Sequence, residues 1–136
     1  MRLMALDIGE RRIGIAVSDS GIFARPHTVL RRKSKKEDFA RLARLIEELE
    51  VGRLIIGMPF SLTGPERIGP QARRVQRYAE ALCQVIRTPC EYFDESYSTV
   101  DAEQYLAAIG KKNVPIDAVA AAVILQNYLD SAQPQR

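Results

Sequence analysis

Hydrophobic positions along the chain fall into short apolar runs separated by helical stripes. Residues 2–6 are an apolar run that ends at Asp7, and residues 13–18 interleave glycine with Ile, Ala and Val. Both read as strands, and the turn Ile8-Gly9-Glu10-Arg11 between them predicts a hairpin. A third short strand is expected over 28–31. Over 38–50, Phe39, Leu42, Ile46 and Leu49 recur at helical spacing with Arg and Glu between them, predicting an amphipathic helix. Residues 53–57 form an apolar run that reads as a strand buried on both faces. It stops at Met58-Pro59, because proline has no N–H to give a ladder.

The second half repeats the alternation. A loop is expected over 61–70, with Gly64, Pro65, Gly69 and Pro70. A helix then opens near Pro70 or Gln71, since proline is tolerated in a first turn. Its buried stripe is Val75, Ala79, Leu82 and Ile86. Residues 90–93 predict the last strand. A helix over 98–109 has Ser or Thr available as a cap and Gly110 to end it. Residues 116–129 are apolar almost all round and rich in alanine, which predicts a helix buried against the sheet. The tail 132–136 should fray. Strands alternating with helices imply parallel pairing, and the opening hairpin implies an antiparallel edge. The expected fold is α/β: one domain over 1–136, a mixed five-stranded sheet with helices on both faces.

Size and composition narrow the class without naming a function. A chain of 136 residues can bury a core without staples. No apolar run approaches the roughly 18–20 residues that span a bilayer. The charged Asp7 arrives too early for a signal peptide, so a cytoplasmic location is expected. Cys83 and Cys90 make no disulfide framework, are too few for a zinc site, and read as reduced thiols in the core or semi-buried. The lone His27, beside Pro26, reads as a packing or surface residue. A net charge of +3 and a pI near 9.0 permit a polyanionic partner without requiring one.

Three acids stand where an acid is unexpected. Asp7 lies between Leu6 and Ile8 at the end of a strand, Glu95 follows the last strand, and Asp117 opens the buried helix. In an open α/β sheet, the crevice at the carboxyl ends of the strands is the usual place for a site. Carboxylates converging there repel one another, and a divalent cation resolves the repulsion. Two such ions can drive phosphodiester hydrolysis with no histidine base. Each acid also has an ordinary explanation, as a turn former, a surface acid or a favourable charge at a helix N-terminus. Position alone leaves both readings open.

Four segments carry a resemblance that weighs on the choice. They are Leu6-Asp7-Ile8-Gly9-Glu10-Arg11-Arg12-Ile13-Gly14-Ile15-Ala16-Val17-Ser18-Asp19, Ile55-Ile56-Gly57-Met58-Pro59, Phe93-Asp94-Glu95 and Ile116-Asp117-Ala118-Val119-Ala120-Ala121-Ala122. In this order and at these intervals they closely resemble the YqgF/RuvX family. That family is described as a Holliday junction resolvase and as the nuclease that matures the 5′ end of pre-16S ribosomal RNA in bacteria. The resemblance implies a ribonuclease H-like fold and a metal-dependent nuclease. It implies that Asp7, Glu95 and Asp117 form a catalytic acidic triad binding Mg²⁺ or Mn²⁺. The implied partner is nucleic acid, either ribosomal RNA precursor or branched DNA, with the protein a monomer or a homodimer. One departure stands out: the family's acidic motif usually continues with arginine, and here that place is Ser96.

Basic residues suggest where a polyanion would lie. Phosphate contacts dominate nucleic-acid affinity. Arg11, Arg12, Lys111 and Lys112 neighbour Asp7 and Asp117 in sequence and are expected to rim the acids, with Arg73 and Arg74 as further candidates. Ser98 and Thr99 could cap a helix and present N–H groups to a phosphate. Lys35 and Lys36, beside Glu37 and Asp38, read as a solvated face. Two rival functions remain. Asp7-Ile8-Gly9 with Gly14 weakly fits the phosphate turn of actin-like kinases, which need a second domain and a second phosphate loop. A non-catalytic nucleic-acid-binding module fits the Ser96 departure but not the retention of three acids.

Overall fold

The computed structural model describes residues 1–59, 69–95, 104, 107 and 113–132. The opening hairpin forms as β1 (Arg2–Ile8) and β2 (Arg12–Ser18), paired antiparallel with Asp7 opposite Gly14. A third strand, β3 (Arg25–Arg31), adds antiparallel to β2 and begins three residues before the expected start. Pro26 falls within it, and β3 is an edge strand, where a missing N–H is tolerated. Next come α1 (Lys35–Glu48), β4 (Val51–Met58), α2 (Pro70–Val85), β5 (Cys90–Asp94) and α3 (Ile116–Ala132). The sheet order is β3-β2-β1-β4-β5, with β4 parallel to both β1 and β5. β1, β4 and β5 therefore point the same way, and their carboxyl ends meet at Asp7, Met58 and Asp94. This is the mixed five-stranded sheet the pattern predicts.

Strand alternation sorts the core into two halves. Met4, Leu6, Ile8, Ile13, Ile15, Val17, Leu54, Ile56 and Met58 face α1 and α2, and pack with Phe39, Leu42, Ala79 and Leu82. The opposite face carries Ala5, Ala16 and Ile55 against Val119, Ala121, Ala122 and Leu125 of α3. β4 is buried on both faces, as a central parallel strand should be.

The helix boundaries correct the sequence reading in one instructive place. α1 starts three residues early, because Ser34 caps it by accepting from Glu37 N. Asp38 thus lies inside the first turn, and it is buried rather than part of a solvated face. Its Oδ1 accepts from Lys33 N at 2.9 Å and from Arg41 Nη2 at 2.8 Å, and its Oδ2 accepts from the Tyr78 hydroxyl at 3.0 Å. The helix ends at Glu48, and Glu50 takes a left-handed turn (φ 53°) to reverse the chain into β4. Of the helix expected over 98–109, only Gln104 and Ala107 are among the described residues, and both are helical.

Small residues let α3 approach the sheet closely. A Cβ on Gly14 would lie 1.8 Å from the Asp117 carbonyl oxygen, and one on Gly57 would lie 2.6 Å from Ile124 Cδ1. The first contact is backbone against backbone, so it cannot be relieved by a side-chain rotation. Gly14→Ala should therefore lift the first turn of α3 and cost at least the about 1–3 kcal/mol typical of overpacking. Thermal melting checks this: a drop of several degrees is expected, and an unchanged melting temperature would contradict the packing described.

Candidate active site

β1 delivers Asp7 to the carboxyl end of the sheet, on the α3 face, since Asp7 shares the parity of Ala5. Gly14 sits beside it across the antiparallel pair, and α3 presses Asp117 onto Gly14 from above. From the other side, β5 runs parallel to β4 and ends at Asp94, so Glu95 emerges next to the end of β4. A Cβ on Gly57 would stand 3.0 Å from Glu95 Oε2. Three chain segments thus bring the three acids to one end of the sheet, with Asp7 in the middle.

The electrostatics record their proximity. Burial, followed by the charge of Asp117, holds the Asp7 carboxyl above the usual carboxylate range. Glu95 is pushed up to about 7, first by burial, then by the charges of Asp7 and Asp94. Both acids are half-buried, and each pays for a negative neighbour. Asp117 has a positive partner: its Oδ2 accepts from Arg12 Nε at 2.8 Å. Among the described residues, no three His, Cys, Asp or Glu side chains are gathered closely enough to hold a metal ion as they stand. The donor set itself, oxygen-only and mutually repulsive, has the chemistry of a hard divalent cation site.

The turn between β1 and β2 is held from below. Arg32 donates through Nη1 to the Gly9 carbonyl at 2.7 Å, and through its backbone N to the Arg11 carbonyl at 2.8 Å. Its guanidinium carbon stacks 4.3 Å from the centre of the Tyr78 ring, and its Nε lies 4.0 Å from Asp38. The buried Asp38 thus anchors an arginine that grips the loop following Asp7. Arg32 and Asp38 escaped the sequence reading of the site. The signal for Asp38 was the serine four residues earlier, which marks it as first-turn rather than solvent-facing.

The basic residues divide. Arg11 and Arg12 are exposed at the turn next to Asp7, and Arg73 and Arg74 are exposed in the first turn of α2. Arg74 Nη2 comes within 3.9 Å of Glu10 Oε1. With Gln71 and Arg32, it lines a cleft of about 40 Å³ against Ile8 and Gly9. Ser96, Ser98, Thr99, Lys111 and Lys112 lie outside the described residues.

Comparison with known proteins fits this geometry. A family model described as RuvX, Holliday junction resolvase, matches residues 1–131. The chain is 42% identical to a protein named "Putative pre-16S rRNA nuclease" from Thermoanaerobacter pseudethanolicus, across 96% of this chain and 97% of that one. It is 43% identical to a protein of the same name from Chloroflexus aurantiacus, across 95% of this chain and 86% of the relative. Among solved structures it is similar to Thermus thermophilus RuvC in complex with a Holliday junction substrate (TM-score 0.63, 15% identity, 96% of this chain and 94% of that one). The fowlpox virus Holliday junction resolvase is similar at a TM-score of 0.56 and 10% identity, across 96% of this chain and 99% of that one. At such identities the two structures speak for the fold, which is the ribonuclease H-like one expected.

The raised acids predict a pH dependence with a definite sign. Below the ordinary glutamate value of 4.5, Glu95 is neutral folded and unfolded. Between 4.5 and about 7 the folded protein keeps a proton that the unfolded chain releases, so stability falls as pH rises through that window and then levels. Asp7, also raised, adds in the same direction. Melting curves of Glu95→Gln and wild type, taken without divalent ions from pH 4.5 to 7.5, should diverge in favour of the variant as pH rises. A constant difference between the two would contradict the assignment.

Proposed function

The chain belongs to the RuvX family, and from that premise we propose that it is a metal-dependent nuclease that hydrolyses phosphodiester bonds in the 5′-end maturation of pre-16S ribosomal RNA. The observation that carries the reading is the placement of Asp7 between two further acids: after burial, the charge of Asp117 raises the proton affinity of Asp7, and the charge of Asp7 raises that of Glu95. A fold does not keep half-buried, mutually repulsive carboxylates for stability, and perturbed acids at the carboxyl end of an α/β sheet mark a functional site.

In this reading Asp7, Glu95 and Asp117 hold Mg²⁺ or Mn²⁺. A bound divalent cation supplies a water acidified towards neutrality and a counter-charge for the leaving oxygen. The chain's own residues do the rest. Arg11 and Arg12, on the turn after Asp7, and Arg73 and Arg74, on α2, take the backbone phosphates and set the scissile linkage over the acids. Lys111, Lys112, Ser98 and Thr99, outside the described residues, are proposed as further phosphate ligands on their residue type and sequence position. The half-buried position of Asp7 limits water around the charges, which strengthens their pull on a cation. Substrate recognition through phosphates alone carries no base preference, so selection among nucleic acids rests on their shape.

A second reading, cleavage of four-way DNA junctions, is favoured by the likeness to RuvC bound to its junction. A resolvase of that kind would act as a twofold dimer. Cleavage of a pre-16S RNA leader, a four-way junction and single strands, side by side with Mg²⁺ or Mn²⁺, separates the two.

Asp7→Asn tests the site itself. Without metal the variant should melt no lower than wild type, because a repulsion has been removed. It should lose most of the stabilisation by Mn²⁺, which for a site at a hundredfold excess over Kd is about 2.7 kcal/mol. Cleavage should all but vanish while nucleic-acid binding persists, and Glu95→Gln and Asp117→Asn should behave alike. If Asp7 were only a turn former, the variant would be less stable and still cleave.

A further inference from the structure

The ion pair between Arg12 and Asp117 sets two competitions at one place. Arg12 is the first residue of β2, and its carbonyl accepts from Gly9 N at 2.9 Å, so its backbone is fixed. Its side chain is half exposed, and its contact among the described residues is Nε donating to Asp117 Oδ2. Asp117 is fixed likewise, its own carbonyl pressed on Gly14. The movable parts are therefore one guanidinium and one carboxylate.

Each has a second suitor. A guanidinium prefers the two oxygens of a phosphodiester, which it can grip with both arms of its fork, over a single carboxylate oxygen. The carboxylate of Asp117 lies close enough to Asp7 to raise its proton affinity, and a cation between the two would relieve that repulsion. While Arg12 holds Oδ2, its positive charge opposes a cation there.

We propose that Arg12 is a latch on Asp117, opened by a backbone phosphate of the nucleic acid, so that substrate binding and metal binding reinforce each other through this one ion pair. The inference rests on the metal-binding reading of Asp7, Glu95 and Asp117. An ion pair this exposed biases an equilibrium by only about twofold to fivefold, so the latch opens readily. Coupling between two binding sites is reciprocal: the factor by which RNA tightens the metal is the factor by which the metal tightens RNA. The arrangement holds metal affinity about twofold to fivefold below its value with a polyanion seated.

Three proteins test it: wild type, Arg12→Gln, and Arg31→Gln, which removes an exposed arginine opposite Arg12 on β3 and so controls for the mere loss of a positive charge. Calorimetric titration with Mn²⁺ alone should give Arg12→Gln a Kd about twofold to fivefold lower than wild type, with Arg31→Gln unchanged. Fluorescence anisotropy with a labelled RNA stem, its integrity checked on a gel, should show Mn²⁺ tightening RNA binding in wild type. That gain should shrink by the same factor in Arg12→Gln. Equal or weaker Mn²⁺ binding by Arg12→Gln, or the same rise in Mn²⁺ affinity in Arg31→Gln, overturns the latch while the metal site stands. Failure of wild type to bind Mn²⁺ at millimolar concentration overturns the metal site and the latch with it.

Discussion

The close approach of α3 to the sheet is the constraint on which the site depends. Gly14, Ala5, Ala16 and Gly57 present almost no side chain on that face, and the alanine-rich helix lies down on them. A larger residue at Gly14 would push the start of α3 outward, and Asp117 would go with it. The packing of an apolar helix on a strip of small residues thus sets the distance between two carboxylates. Tight interiors transmit a displacement of this kind because they have no slack to absorb it.

Stability for such an arrangement comes from elsewhere. The larger half of the core, on the α1 and α2 face, holds the bulky aliphatic side chains. Its one buried ionic group among the described residues, Asp38, is satisfied by a backbone N–H, Tyr78 and Arg41. A buried carboxylate paired this fully is tolerated where an unpaired one is not. Through Arg32 it also steadies the turn from Gly9 to Arg12, from which Arg12 reaches Asp117. One face of the sheet thus supports the turn, while the other positions the charges.

Much of this was legible in the sequence. Periodicity in β1, β2, β4, α2 and α3 is strong because each buries a full face or both, and the register of Asp7 followed from the apolar run that leads into it. What periodicity could not supply was contact between distant segments. Nothing in the charged run Lys35-Lys36-Glu37 marks Asp38 as buried. Its burial depends on Tyr78, 40 residues away. β3 began earlier than expected because an edge strand accepts Pro26. Gly14 and Gly57 read as ordinary strand glycines, and only the path of α3 gives them a reason. Arg12 was visible as a phosphate ligand, but its hold on Asp117 is a tertiary contact.

The central claim is that Asp7, Glu95 and Asp117 share one divalent cation. The most direct measurement is anomalous diffraction from crystals grown with millimolar Mn²⁺. A peak bounded by carboxylate oxygens of Asp7 and of its two neighbours, with Arg12 turned away from Asp117, is the result predicted. A Mn²⁺ peak elsewhere on the protein, or none beside Asp7 while the Arg12–Asp117 pair stays closed, would contradict it.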